Sequence, residues 1–97
     1  MKITRKDIGK IKKVLEKAPV ERAYIFGSYA RGDADENSDI DIMLELNYVQ
    51  HIGLGFFKIK MALEEILQRP VDLLTTNAVS KHVLPFIESD KRMIYER

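Results

Sequence analysis

A chain of 97 residues, 45% hydrophobic and 32% charged, has the composition of a soluble globular protein with one modest core, and residues 1–97 are read as a single domain. The absence of cysteine excludes a disulfide framework and thiolate metal sites. No apolar run approaches the roughly 18 residues of a membrane span, and the basic start is not followed by the apolar segment of a signal peptide, so a cytoplasmic protein with no membrane contact is expected.

The net charge of +1 hides an asymmetry. Residues 1–22 carry eight Lys and Arg against three acids, whereas residues 33–45 carry six acids and no base. A basic start can mark a nucleic-acid surface, but charged residues between helically spaced apolar ones are more often a solvated face, and direct nucleic-acid binding is not expected. The acidic run points elsewhere.

Thr4 with Asp7 three residues on resembles a capping box, with Asp replacing the usual Glu. Ile8, Ile11, Val14, Leu15 and Ala18 then recur at helical spacing until Pro19, so a structural first helix is predicted over this stretch. Arg22 to Phe26 reads as a short apolar strand that delivers Gly27-Ser28. A Gly after a strand lets the backbone turn tightly and approach a ligand. A Ser opening a helix would cap it and leave backbone N–H groups facing an anion. Tyr29 to Gly32 is predicted as that short helix. Arg31 has two readings: a guanidinium aimed at phosphate oxygens, or a surface ion pair with Asp33 or Asp35. Tyr29 is read as packing.

Asp39 to Leu46 alternates with period two: Asp39, Asp41, Met43 and Glu45 fall on one face, and Ile40, Ile42, Leu44 and Leu46 on the other. Asp39 and Asp41 then project the same way, about 7 Å apart along the strand. Two ionised carboxylates so close repel, and a cation between them relieves this. Magnesium fits, since it binds through one or two carboxylates plus substrate phosphates. Asp33, Asp35, Asn37, Asp39 and Asp41 also share the alternate spacing of a calcium loop, but Ser38 and Leu44 stand where that loop needs Gly and Glu. Asp33, Asp35 and Glu36 are therefore read as a solvated loop with a turn at Asn37-Ser38. Phosphate donors at Gly27-Ser28 and a carboxylate pair at Asp39 and Asp41 together describe a nucleoside-triphosphate site.

Asn47 to Gly55 is read as a connection, with His51 in it taken as solvated. Phe56 to Leu67 carries the stripe Phe56, Ile59, Leu63, Ile66 and Leu67, a core-facing helix ended by Arg69-Pro70. Val71 to Thr75 is a third strand, apolar except for Asp72. A lone carboxylate buried in such a strand is costly. A salt bridge or a cap is one account of it; the better one sets this strand beside the second, with Asp72 aimed at Asp39 and Asp41. His82 to Ser89 is predicted as a short helix with Pro85 in its first turn, His82 being solvated like His51, and Met93 to Tyr95 as an edge strand. The order of elements gives an α/β or α+β domain, a small mixed sheet with helices packed on one face.

Gly27-Ser28, ten residues, then Asp39-Ile40-Asp41 resembles the signature of the DNA polymerase beta-like nucleotidyltransferase superfamily. The fuller string, Gly-Ser-Tyr-Ala-Arg-Gly followed by Ser-Asp-Ile-Asp-Ile, is similar to the minimal nucleotidyltransferases (the MNT or MntA group) of MNT–HEPN toxin–antitoxin modules. The resemblance implies the nucleotidyltransferase fold and a mechanism. Gly27 and Ser28 would hold the β- and γ-phosphates, and Asp39 and Asp41 two Mg²⁺ ions. Asp72, matching the family's third carboxylate, would join them and take the acceptor's proton. It further implies transfer of AMP from ATP to a tyrosine of a HEPN toxin partner, supplied in trans beside Asp72. A small-molecule acceptor with a partner subunit, and an antitoxin that acts by binding alone, are the two alternatives.

Overall fold

The computed structural model describes residues 2–47, 55–76 and 78–97; the expectation for the connection at His51 falls outside them. Eight elements follow one another: α1 (Arg5–Leu15), β1 (Val20–Phe26), α2 (Ser28–Arg31), β2 (Ile40–Leu46), α3 (Gly55–Leu67), β3 (Val71–Thr75), α4 (Leu84–Asp90) and β4 (Arg92–Glu96). The strands form one mixed sheet in the order β3-β2-β1-β4, with β2 and β3 parallel and the other pairs antiparallel. The third strand lies beside the second, as expected.

The capping box forms in full. Thr4 N–H donates to Asp7 Oδ2 and Asp7 N–H to Thr4 Oγ1, each at 3.0 Å, which satisfies two donors that a helix start leaves open. The helix stops at Leu15, short of the predicted Ala18. Lys17 N–H and Ala18 N–H instead reach the carbonyls of Val14 and Leu15 in tight turns ahead of Pro19. The carbonyls of Glu16 and Ala18 accept from Arg97 Nη2, at 3.4 and 2.7 Å.

Val20, Ala23 and Ile25 all face the core, although Val20 and Ala23 are an odd number of residues apart. A register shift between Val20 and Arg22 resolves this, since a bulge inserts the extra residue. With Ile40, Ile42, Leu44 and Leu46 of β2 and Val71 and Leu73 of β3, they make the sheet's apolar face, covered by Ile11 and Leu15 of α1 and Ile59, Leu63 and Leu67 of α3.

The opposite face carries the acids and is not bare. Tyr24, Met43 and Leu74 are neighbours across three strands, and Met43 is 2% exposed. Ile87 of α4 is equally buried, and both residues stand apart from the main core. At the end of α4, Lys91 Nζ lies 4.6 Å from the centre of the Tyr24 ring. So α4 folds against the face that the alternation left for acids, and helices lie on both sides of the sheet, not on one as expected. Lower on that face Arg22 pairs with Glu45 at 2.5 Å and Glu96 at 2.8 Å, its register neighbours on either side. No helix among the described residues is long and apolar enough to cross a membrane.

Candidate active site

Gly27 follows directly on Phe26, the β1 residue opposite Asp41. Its backbone, at φ 72° and ψ −151°, lies in a region open almost to glycine alone. Space makes the same demand, since a Cβ at Gly27 would overlap the Asp41 carboxylate. The turn and the acid therefore specify each other.

Gly27 is also the N-cap of α2, and no side chain caps that helix. Ser28 is its first helical residue, which corrects the expectation that Ser28 would be the cap. Gly27 O accepts from Ala30 and Arg31 N–H at 3.1 and 3.0 Å, while the helix start leaves its first N–H groups without intrahelical acceptors. Gly32, at φ 87°, closes α2 by donating to Ser28 O at 2.9 Å.

Asp41 faces Asp72 across the parallel β2–β3 ladder. The register is held at both ends: Ile40 N–H donates to Pro70 O and Thr76 N–H to Leu44 O, each at 3.0 Å. Glu64 of α3 accepts Val71 N–H at 3.0 Å, fixing the residue before Asp72. Burial first, then the charges of Asp72 and Asp39 and a hydrogen bond to Asp72, push the Asp41 carboxyl up to about 6; the Arg31 charge opposes the shift. Asp72 itself is exposed on the edge strand, so the cost of a buried charge, which singled it out in the sequence, is not what places it there. Its place beside Asp41 comes from strand order and register.

Asp39 is exposed and lies one residue before β2 begins. Among the described residues no three His, Cys, Asp or Glu side chains are gathered as a ready-made metal site. The acids meet through Asp41, the one half-buried member, while Asp39 and Asp72 are both exposed. An all-oxygen donor set with excess negative charge is nonetheless of the kind that magnesium takes, and the charges of Asp72 and Asp39 on Asp41 are a repulsion that a cation would relieve.

Arg31 Nε lies 3.2 Å from Asp33 and its Nη1 2.9 Å from Asp90. The surface-pair reading thus holds, through Asp33. Asp35 is occupied with a local turn, accepting from Asn37 N–H at 2.9 Å and Ser38 Oγ at 3.2 Å. The calcium-loop spacing is spent on such bonds. His82 is exposed, as expected. Sequence reasoning gave α4 no part near the acids, and no spacing in the chain connects Asp90 with Arg31. A groove of about 650 Å³ between α1 and α3, with Val14, Pro19, Ile59 and Ile66 and the lysines 13, 17 and 58 in its lining, is lined by no acid among the described residues.

Residues 9–97 match the family model described as Polymerase beta, Nucleotidyltransferase. A Methanocaldococcus jannaschii protein with the provisional name protein adenylyltransferase is 46% identical over 70 residues, 72% of this chain and 74% of that one. The protein adenylyltransferase MntA of Thermococcus cleftensis is 32% identical over 72 residues, 74% of this chain and 72% of the relative. Among solved structures, a toxin–antitoxin with AMP-PNP superposes with a TM-score of 0.79 at 24% identity, covering 93% of this chain and 73% of the other. A tri-AMPylated Shewanella oneidensis HEPN toxin in complex with an MNT antitoxin gives 0.73 at 20%, covering 96% and 72%. At such identities the solved structures speak for the fold. The family match over nearly the whole sequence and the similarity to these relatives are decisive: the chain belongs to the Polymerase beta nucleotidyltransferase family.

Proposed function

We propose that this protein transfers AMP from ATP to an acceptor hydroxyl with the help of Mg²⁺, and that the acceptor is a tyrosine of a HEPN-family toxin, which the transfer silences. The observation that carries the reading is the packing of Gly27 against Asp41 with Asp72 opposite. It sets a backbone turn suited to phosphate beside a carboxylate cluster suited to a metal.

Asp39, Asp41 and Asp72 would hold the metal, which when bound neutralises charge on the phosphates and on the attacking and leaving oxygens. The Gly27 turn and the first N–H groups of α2 would orient the β- and γ-phosphates, with Arg31 adding a guanidinium. Asp72 would accept the proton of the acceptor hydroxyl as its oxygen bonds to the α-phosphorus. The bond from that phosphorus to the bridging oxygen breaks, and pyrophosphate leaves with the electron pair. Positioning and charge neutralisation supply most of the rate.

Asp72 is exposed on an edge strand, so an acceptor can arrive from outside without crossing the fold. That favours a macromolecular acceptor docking beside Asp72. The relatives named protein adenylyltransferases and the AMPylated toxin in a similar complex support the same acceptor class. AMP on a HEPN toxin would add bulk and negative charge to an RNA-binding site, a physical route to inactivation.

The test is to mix the protein, ATP, Mg²⁺ and the product of the neighbouring gene, and to weigh that partner by mass spectrometry. An AMP-sized increment on a partner tyrosine is the expected result. An unmodified partner that the Asp72→Asn protein still inhibits would overturn the catalytic reading in favour of inhibition by binding.

A further inference from the structure

We propose that Asp90, at the end of α4, is a positioning residue that holds the Arg31 guanidinium in place for the phosphates of the nucleotide; this assignment rests on the nucleotide-site reading above. Arg31 is gripped at two points, Nε by Asp33 at 3.2 Å and Nη1 by Asp90 at 2.9 Å. The two grips are unequal. The Asp33 side chain is 62% exposed and that of Asp90 only 21%, so Asp90 is the firmer anchor. Nη2 makes no hydrogen bond among the described residues, so its two donors remain for a ligand. Arg31 is the last residue of α2, the four-residue helix that starts at the Gly27 turn, so its guanidinium belongs to the element that would face the phosphates.

Asp90 can serve as an anchor because its own helix end is pinned. Ile87 is buried, and Lys91 N–H closes onto Ile87 O at 2.8 Å. Lys91 Nζ sits over the Tyr24 ring at 4.6 Å and pairs with Glu88 at 2.9 Å. Tyr24 stands on β1 three residues before Gly27. The strand that delivers the turn thus also seats the helix that holds Arg31. A free arginine would lose rotamer freedom on meeting phosphate, and one already held loses less.

The experiment is calorimetric titration of the full chain with Mg·ATP, for the wild type, Asp90→Asn, Asp90→Glu, Asp33→Asn, Arg31→Met and the Arg31→Met/Asp90→Asn double variant, each checked for fold by circular dichroism. Asp90→Asn should weaken binding about fivefold to tenfold, Asp90→Glu should recover part of the loss, and Asp33→Asn should shift it less than about twofold. In the Arg31→Met background the Asp90→Asn change should have no further effect, which a merely structural role would not predict. Equal losses from Asp90→Asn with and without Arg31, or tighter binding by Asp90→Asn, would overturn the assignment while leaving the nucleotide site standing. A folded wild type that binds no Mg·ATP would overturn the nucleotide-site reading, and this assignment with it.

Discussion

Asp41 and Asp72 are direct partners across the parallel β2–β3 ladder, and without a cation they work against each other. The pair stores repulsion that folding alone does not relieve.

That repulsion predicts an unusual pH dependence of stability. Asp41 is pushed to about 6 in the folded chain, against about 3.9 for an unfolded Asp. The folded state therefore holds more protons between those values, and stability falls as pH rises through the window. The loss is complete above the folded value and absent below the unfolded one. Because the carboxylate is only half-buried, solvent screening leaves a cost on the order of 1 kcal/mol. Asp41→Asn should accordingly be more stable than the metal-free wild type by about 1 kcal/mol at pH 7.5, with the gap closing toward pH 4. Urea unfolding at both pH values checks this; a gap that does not change with pH would contradict it.

Gly27→Ala should be damaging on two counts, the backbone region and the overlap with Asp41. A non-glycine residue in that region costs about 1–3 kcal/mol before any contact is counted. The variant should melt lower and bind Mg·ATP poorly. Adding Asp41→Ala should return part of the stability, by removing the atoms that the new methyl group meets, and none of the binding. Denaturation curves of the single and double variants separate the two contributions.

Ligand response should be asymmetric. Mg²⁺ with ATP should raise the melting temperature through mass action on the folded state. Mg²⁺ alone should do less, because part of its coordination comes from phosphate oxygens. A shift with Mg²⁺ that ATP does not enlarge would contradict a nucleotide site.

How much of this was legible in the sequence varies by the range of the contact. Period-two alternation placed Ile40, Ile42 and Leu44 in the core, and the Thr4–Asp7 box marked where α1 begins, because both are local signals. Gly27 was legible as a turn, though not as the N-cap, since the capping role passes from Ser28 to Gly27 only once the backbone takes its positive φ. Asp72 was found through a false premise: Val71 and Leu73 are buried as their hydrophobicity suggests, yet Asp72 between them points to the other face and is exposed. Met43 was set among the acids, and its burial depends on a return of α4 that no periodicity encodes. The same holds for Arg31 with Asp90 and Arg97 with Ala18, pairs 59 and 79 residues apart in the chain.

On the function proposed above, the Asp39, Asp41 and Asp72 cluster directs attack on the α-phosphorus. The most direct measurement supplies ATP radiolabelled at either the α- or the γ-phosphorus, with Mg²⁺ and the HEPN partner, to the wild type and to Asp39→Asn, Asp41→Asn and Asp72→Asn. The α label should move to the partner while the γ label leaves in pyrophosphate. Each variant should fold yet transfer at least about a hundredfold more slowly, with Asp72→Asn retaining the most nucleotide binding. Transfer of the γ label, or full transfer by any one of the three variants, would contradict it.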